Sequence, residues 1–199
     1  VRNNLASAIQ GGLLEVQSSI GTNLFSVNNL GTELAANGGA ETVSGFGTNW
    51  SAAPAGGTVT QTSTAGQFVT GVYGVSTVTT GTSLTGVRNN LSGNPSNTIG
   101  AAYQVSFTAK SSIDGTPIDV VYSRDGGTNT EPCTNYSSQT LSNSVWTKIT
   151  CTITISNITV PSNPDLIIRK TGATTPTIYI DNLSFMRNDL TTQPSNVQI

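Results

Sequence analysis

One acidic residue, Asp181, stands out because it interrupts a β-strand pattern. The stretch Pro176–Phe185 opens with proline and is rich in β-branched and aromatic residues, which is typical of a strand. Ile178 belongs to one face of such a strand and Leu183 to the other, so the alternation breaks between them. Either a β-bulge shifts the phase, or Asp181 points towards the core, where its carboxylate needs a cation or several hydrogen-bond donors.

Histidine is absent from the 199 residues, and this narrows the chemistry. Without imidazole, the chain lacks the usual base of a nucleophilic triad and the commonest ligand of transition metals. A hard cation such as Ca²⁺ remains possible, because it binds carboxylate and carbonyl oxygens. A glycosidase would need paired carboxylates at a controlled separation. Five acids could be considered for this role, but none lies in such a motif: Asp114, Asp119, Asp125, Glu131 and Asp165. We therefore predict that the protein is not an enzyme.

The charge content argues against two classes of partner. Charged residues make up only 9% of the chain, and the net charge is −2. There is no basic patch for nucleic acid and no polybasic run for a membrane surface. No apolar run approaches the roughly 20 residues of a transmembrane helix. We therefore expect no nucleic-acid partner and no membrane insertion.

The two cysteines, Cys133 and Cys151, indicate the redox environment. An even count in a charge-poor chain rich in Thr and Asn favours one disulfide and an oxidising compartment. The alternative is a pair of buried free thiols. We expect the protein to be extracellular or at the cell surface.

Aromatic residues, which could stack on sugar rings, make up only 6% of the chain. Phe107, Trp146 and Phe185 are expected in the core. Tyr122 lies in a stretch where Asp119 and Arg124 could flank a concave face. The alternative for all the remaining aromatics is a place in the core or at its rim. The candidates for ligand binding are Trp50, Tyr73, Tyr122, Asp119 and Arg124, with Tyr103 and Tyr136 as further aromatics.

Short strands separated by Gly, Pro and Asn turns fill the chain from Leu30 to Phe185, with no convincing helix. This pattern predicts an all-β fold, a β-sandwich. In Trp146–Ile155 the alternation is clean and places Cys151 on the core face. The predicted strands are Thr32–Ala36, Gly57–Ser63, Val69–Thr79, Ser83–Asn89, Ala101–Lys110, Ile118–Ser123, Trp146–Ile155, Asp165–Lys170 and Thr177–Phe185.

The first 29 residues form a different kind of segment. Two alternating runs around Gly21-Thr22-Asn23 predict a β-hairpin, which resembles short hairpin units of phage tail-fibre and large bacterial surface proteins. Alone, a hairpin cannot bury its apolar face. We predict three regions: an extension (1–29), a sandwich (30–187) and a polar tail (188–199). The apolar residues expected to mediate assembly are Leu14, Val16, Leu24, Phe25 and Val27.

Six short motifs follow one another in a recognisable order. They are Asn37-Gly-Gly-Ala-Glu41, Phe46–Trp50, Gly71–Val75, Ala102–Lys110, Trp146–Ile149 and Ile180–Phe185. This order resembles the jelly-roll carbohydrate-binding modules of the galactose-binding-like group, over about 155 residues. The resemblance implies a jelly-roll fold and a structural Ca²⁺ held by Glu41 and Asp181. Flanking oxygens of Asn37 and Gly39 would complete its coordination.

Two functions follow from these observations. The first is a self-assembling structural subunit of a cell-surface filament or layer, in which the N-terminal segment binds the next copy head to tail. The second is a carbohydrate-binding module of a larger secreted enzyme or adhesin, with polysaccharide as its partner. We predict the first function, because the hairpin needs a partner surface, the charge is very low and aromatic residues are few. The carbohydrate-binding module is the alternative.

Overall fold

The computed structural model describes residues 32–95, 98–157 and 160–188, together with the backbone of 14–17 and 23–27. Nearly all regular structure is β, as predicted. The elements are β1 Leu14–Gln17, β2 Asn23–Val27, α1 Phe46–Asn49, β3 Trp50–Ala52, β4 Thr58–Thr62, β5 Gly74–Val78, β6 Gly86–Asn90, β7 Ala102–Ser111, β8 Thr116–Ser123, β9 Thr130–Thr134, β10 Thr140–Leu141, β11 Thr147–Thr154, β12 Asp165–Lys170 and β13 Thr177–Arg187.

The strands from β3 to β13 form one antiparallel path that folds into two facing sheets. Sheet I has the order β3-β6-β12-β8, with β10 beside β8, and sheet II has the order β11-β7-β13-β5-β4. Strand β9 joins the two, because it pairs with β8 and with β11. The result is the predicted jelly-roll β-sandwich.

The core lies between the sheets, where alternate residues of each strand point inwards. Phe185 of β13 stacks on Tyr103 of β7 at 5.0 Å and faces Tyr122 of β8 at 6.0 Å, measured between ring centroids. All three rings are buried. Aromatic contacts of this kind add to the hydrophobic burial that holds the layers together.

The predicted disulfide between Cys133 and Cys151 is confirmed. Its Cα atoms are 5.8 Å apart, within the usual range. Cys133 lies in β9 and Cys151 in β11, so the bond ties the joining strand to sheet II. Both side chains face the core, as the alternation of β11 predicted.

A β-bulge accounts for the broken alternation in β13. Asp181 pairs with Thr108 and Ser184 with Ser106, so Asn182 and Leu183 together oppose the single residue Phe107. Asn182 has a φ of 55°, a left-handed conformation that asparagine tolerates better than most residues. The bulge returns Leu183 and Phe185 to the core face, while Asp181 keeps the outward phase of Tyr179.

Several predicted boundaries are wrong. Residues 32–36 form only isolated bridges, at Glu33 and Ala35. Residues 69–73 are a loop that leads into β5, because their backbone N–H groups bond to distant carboxylates rather than to a strand. The prediction of no helix misses the single turn α1. Strands β3, β9 and β10 were not predicted.

The N-terminal hairpin is confirmed at the level of the backbone. Strand β1 pairs antiparallel with β2 from Leu14 opposite Val27 to Gln17 opposite Asn23. The pair forms a two-stranded sheet that is separate from sheets I and II. The side chains of the predicted assembly residues and the polar tail from 189 onwards lie outside the described residues. In the described part of the chain, no helix is long and apolar enough to span a membrane.

Candidate functional site

The carboxylate of Asp181 is fully buried and caps the loop between β4 and β5 of the same sheet. It accepts hydrogen bonds from the backbone N–H groups of Val69 (2.7 Å), Thr70 (2.9 Å) and Asn182 (2.7 Å). Three donors satisfy a buried carboxylate without a cationic side chain. The sequence required either a cation or several hydrogen-bond donors for a buried Asp181. The structure provides several donors.

Glu41 binds the other end of the same loop. Its exposed carboxylate accepts hydrogen bonds from the N–H groups of Val72 and Tyr73, at 3.1 to 3.3 Å. Gly71 lies against it: a Cβ at this position would be 2.0 Å from Oε1 of Glu41. Because Gly71 also has a φ of 69°, only glycine fits without rearrangement.

The four predicted cation ligands are only partly brought together. A Cβ on Gly39 would lie 3.6 Å from Cγ of Glu41 and 3.9 Å from Oδ1 of Asp181, so this glycine is flanked by both acids. Asn37 is committed elsewhere: its side chain exchanges two hydrogen bonds with the backbone of Thr42, and its carbonyl accepts from Trp50 Nε1. Among the described residues, no group of three or more Asp, Glu, Cys or His could hold a metal.

Two of the predicted ligand-binding aromatics are core residues instead. Trp50 is 2% exposed and donates its indole N–H to the carbonyl of Asn37. Tyr122 is 0% exposed, between Phe185 and the guanidinium of Arg124, whose Cζ is 5.4 Å from the ring centroid. Neither ring offers a face to a ligand, because both belong to inward positions of sheet I.

Asp119, Tyr122 and Arg124 do not share a face either. Asp119 lies on the outer side of sheet I, where Arg169 binds its Oδ2 through Nε (3.0 Å) and a terminal nitrogen (2.7 Å). Arg124 is buried and bonds to Glu131 at 2.9 Å. Tyr73 is partly buried at the loop held by Glu41. The concave site predicted around Tyr122 is therefore wrong.

A different set of residues forms an aromatic surface on the outer side of sheet II. The ammonium of Lys110 lies 5.2 Å from the ring centroid of Trp146 and 5.5 Å from that of Tyr179. Both rings are partly buried. We call Trp146, Lys110 and Tyr179 the aromatic strip.

Strand register places the aromatic strip. Lys110 of β7 pairs with Tyr179 of β13, and Trp146 precedes Thr147, which pairs with Ala109. The three side chains therefore occupy one row across three neighbouring strands, and the two rings stand roughly 10 Å apart. The row continues past Ser76 on β5, whose side chain is buried, to the exposed Thr60 on β4.

Sequence reasoning missed this strip by assigning Trp146 to the core. The sequence did indicate an outward position, because Trp146 shares its phase with Lys148 and Thr150 on the solvent-facing side of β11. Position Tyr179 likewise lies opposite in phase to the core residues Ile178 and Ile180. Alternation with a charged residue was better evidence for exposure than the apolar character of tryptophan.

The strip combines the groups that bind sugars. Aromatic rings stack on the C–H faces of pyranoses, and an ammonium and hydroxyls form hydrogen bonds with sugar hydroxyls. Two rings separated by two strand spacings match the reach of a short oligosaccharide rather than of a single sugar. The arrangement suits a linear ligand that lies across the strands.

The fold is a jelly-roll sandwich of the kind found in carbohydrate-binding modules. The chain resembles the CBM22-1 xylan-binding domain of Paenibacillus barcinonensis Xyn10C, with a TM-score of 0.53 and 14% identity over 78% of this chain and 92% of that domain. It also resembles a family 16 carbohydrate-binding module, with a TM-score of 0.51 and 21% identity over 76% of this chain and 98% of that module.

An arabinose-bound α-L-arabinofuranosidase contains a similar fold. The TM-score is 0.60 and the identity 15%, over 80% of this chain but only 27% of the enzyme. At these identities the likeness concerns the fold alone. No protein-family model and no curated protein matches the sequence.

Proposed function

We propose that this protein is a non-catalytic polysaccharide-binding module, the second of the two functions that the sequence raised. The aromatic strip carries the proposal: two partly buried rings on an outer sheet face flank a lysine ammonium. Solved structures of similar fold that are named as carbohydrate-binding or xylan-binding modules support it. The disulfide agrees with an extracellular location.

Affinity electrophoresis through gels that contain soluble xylan, β-glucan, galactan or polygalacturonate tests this function. We expect at least one polysaccharide to retard the protein. Trp146→Ala and Tyr179→Ala should each weaken binding about tenfold, which corresponds to about 1.4 kcal/mol of lost stacking. Asp119→Asn is the control, because Asp119 lies on the outer side of sheet I, in the other layer of the sandwich. Equal retardation of all variants would exclude the strip as the site.

We also propose that a structural Ca²⁺ binds beside Gly39. Glu41 and Asp181 would supply carboxylate oxygens and Gly39 its carbonyl, whereas Asn37 is already bonded. A bound cation stabilises the folded state by mass action. The melting temperature should therefore fall in EDTA and recover with excess Ca²⁺. An unchanged melting temperature would leave the loop held by hydrogen bonds alone.

Self-assembly is a second candidate, and the hairpin is the observation that favours it. The β1–β2 pair forms its own sheet, and a two-stranded sheet is marginal without a partner surface. In this hypothesis the hairpin of one copy packs on the sandwich of the next, as a cell-surface filament requires. Deleting residues 1–29 should then abolish polymers seen by electron microscopy. Polymers formed by the truncated chain would contradict assembly through the hairpin and would leave the proposal of polysaccharide binding unaffected.

A further inference from the structure

The outer face of sheet II carries two cations without acidic partners. Lys148 lies in the row next to the aromatic strip, since it pairs with Thr108 and shares the outward phase of Trp146. None of the ion pairs found among the described residues involves Lys110 or Lys148; all three use arginines. The third lysine, Lys170, is buried and donates to backbone carbonyls, so it does not contribute to this face.

One acid lies in the same row but does not neutralise these lysines. Asp181 pairs with Thr108 from the other side, yet its carboxylate is fully buried and occupied by three backbone donors. It forms no ion pair within the 4 Å limit for such contacts. In these two rows, the lysines are therefore charged groups that form no ion pair with any described residue.

The position of Lys110 is also more restrained than that of an ordinary surface lysine. Its ammonium lies over the rings of Trp146 and Tyr179, and two cation–π contacts limit its rotamers. A cation that is already ordered loses less entropy when a ligand binds. Lys110 is thus preorganised to bind an anionic group that projects between two stacked sugars.

We propose that the aromatic strip and Lys148 bind a linear polyuronate, a polysaccharide whose sugars carry carboxylates. A uronate ring keeps a C–H face for stacking and places its carboxylate at the ring edge, where an ammonium can bind it. Trp146 and Tyr179 hold two sugars on the ring faces that Lys110 does not cover. Lys110 binds a carboxylate between them, and Lys148 binds one in the next row. This inference rests on the proposed polysaccharide-binding function and specifies its ligand.

The test compares polygalacturonate with its carboxyl-reduced, neutral counterpart, using affinity electrophoresis of the full chain. We expect polygalacturonate to bind at least tenfold more tightly, and added salt to weaken that binding because ion pairs are screened. Lys148→Gln should weaken polygalacturonate binding about fivefold and leave binding of the neutral polymer unchanged. Lys110→Gln should weaken binding of polygalacturonate by a larger factor than binding of the neutral polymer. Lys110→Arg, which keeps the charge, should retain most of the affinity. Thermal melting checks that every variant is folded.

The outcomes separate this inference from the function on which it rests. Equal binding of the charged and neutral polymers, lost in Trp146→Ala, would overturn the polyuronate assignment and keep polysaccharide binding. Tighter binding to dextran sulfate than to polygalacturonate would also overturn the polyuronate assignment. The lysines would then bind any polymer of high negative charge density, not carboxylates in particular. No retardation by any polysaccharide would overturn both.

Discussion

Two buried acids, each beside an arginine, differ in how the fold treats their charge. Burial raises the pKa of Asp165, and the attraction of Arg88 at 3.4 Å only partly opposes this effect. Burial alone would also raise the pKa of Glu131. The hydrogen bonds from Arg124 and Ser156 to Glu131 outweigh it, so the pKa is below its usual value. The two residues should therefore affect stability in opposite directions.

Asp165→Asn should stabilise the protein at neutral pH. Since the folded pKa of Asp165 is raised, the carboxylate costs stability above that pKa, and the cost vanishes below the unfolded value of about 3.9. Its Oδ1 also lacks a hydrogen-bond partner, which adds to the cost. Urea unfolding should give a larger free energy of unfolding for the variant at neutral pH, with the gap closing as the pH approaches 3.9. A variant less stable at both pH values would contradict this.

Glu131→Gln should have the opposite effect and serves as the matched comparison. The lowered pKa means that ionised Glu131 stabilises the fold above its unfolded pKa, and that this stability is lost as the pH falls through the folded pKa. Removing one partner of the buried pair with Arg124 should cost about 3 kcal/mol at neutral pH. Urea unfolding should show this loss shrinking in acid. A loss that is independent of pH would mean that packing, not charge, is responsible.

At the residue scale, the sequence could identify unusual positions more readily than their partners. The break at Asp181 was visible, and a bulge was one of two explanations. The donors from Val69 and Thr70 were not visible, because they come from more than 100 positions away. Trp50 and Trp146 were assigned in reverse, since a tryptophan suits both a core and a binding face.

At the scale of elements, the loop after Ala36 crosses the bulge of β13 in direct backbone contact at Gly38. A Cβ on Gly38 would lie 1.9 Å from the carbonyl oxygen of Leu183, whose N–H donates to the carbonyl of Gly38. This contact joins the beginning of the sandwich to its last strand. It is a backbone contact, so no side-chain motion can relieve a clash.

Gly38→Ala should therefore destabilise the protein far more than Gly39→Ala. The first substitution forces the two backbones apart and should cost at least about 2 kcal/mol. The second meets no atom closer than 3.6 Å and should change stability by no more than about 0.5 kcal/mol. Thermal melting of the two variants measures the difference. Equal melting temperatures would show that the backbones at Gly38 and Leu183 can move apart without loss of stability.

The disulfide makes a second prediction for the elements. Cys133 and Cys151 are 18 positions apart, and opening a loop of this size should cost roughly 3 kcal/mol. The double substitution to serine should lower the melting temperature by roughly 6 to 12 °C for a domain of this size. The loss should match that caused by reductant on the parent protein. No change in melting temperature would mean that the hydrogen bonds of β9 hold the joining strand without the covalent bond.

Strands with clean alternation were predictable, and strands held by distant partners were not. The predicted limits of β7, β8, β11 and β12 differ from the observed ones by no more than two residues. Strand β9 has alternation but contains Pro132, which argues against a strand that pairs on both sides. It can do so because its pairing is short on each side, only two or three residues long.

At the scale of the molecule, the jelly roll provides two outer sheet faces of different character. The outer face of sheet I carries ion pairs such as Asp119 with Arg169, which satisfy their own charges. The outer face of sheet II carries aromatic rings and lysines that form no ion pair with any described residue. The second face is the one that an external ligand can complete, and this contrast is the basis of the proposed function.

The chain contains two tryptophans, so ligand binding at the aromatic strip can be measured directly. Trp146 lies in the aromatic strip, and Trp50 is buried with its indole N–H bonded to Asn37, so each has a distinct role as probe and internal control. In a ¹⁵N-correlated NMR spectrum of the protein titrated with oligogalacturonate, the indole N–H signal of Trp146 should shift and that of Trp50 should stay in place. Binding that leaves Trp146 unmoved, or that moves Trp50 instead, would contradict the account.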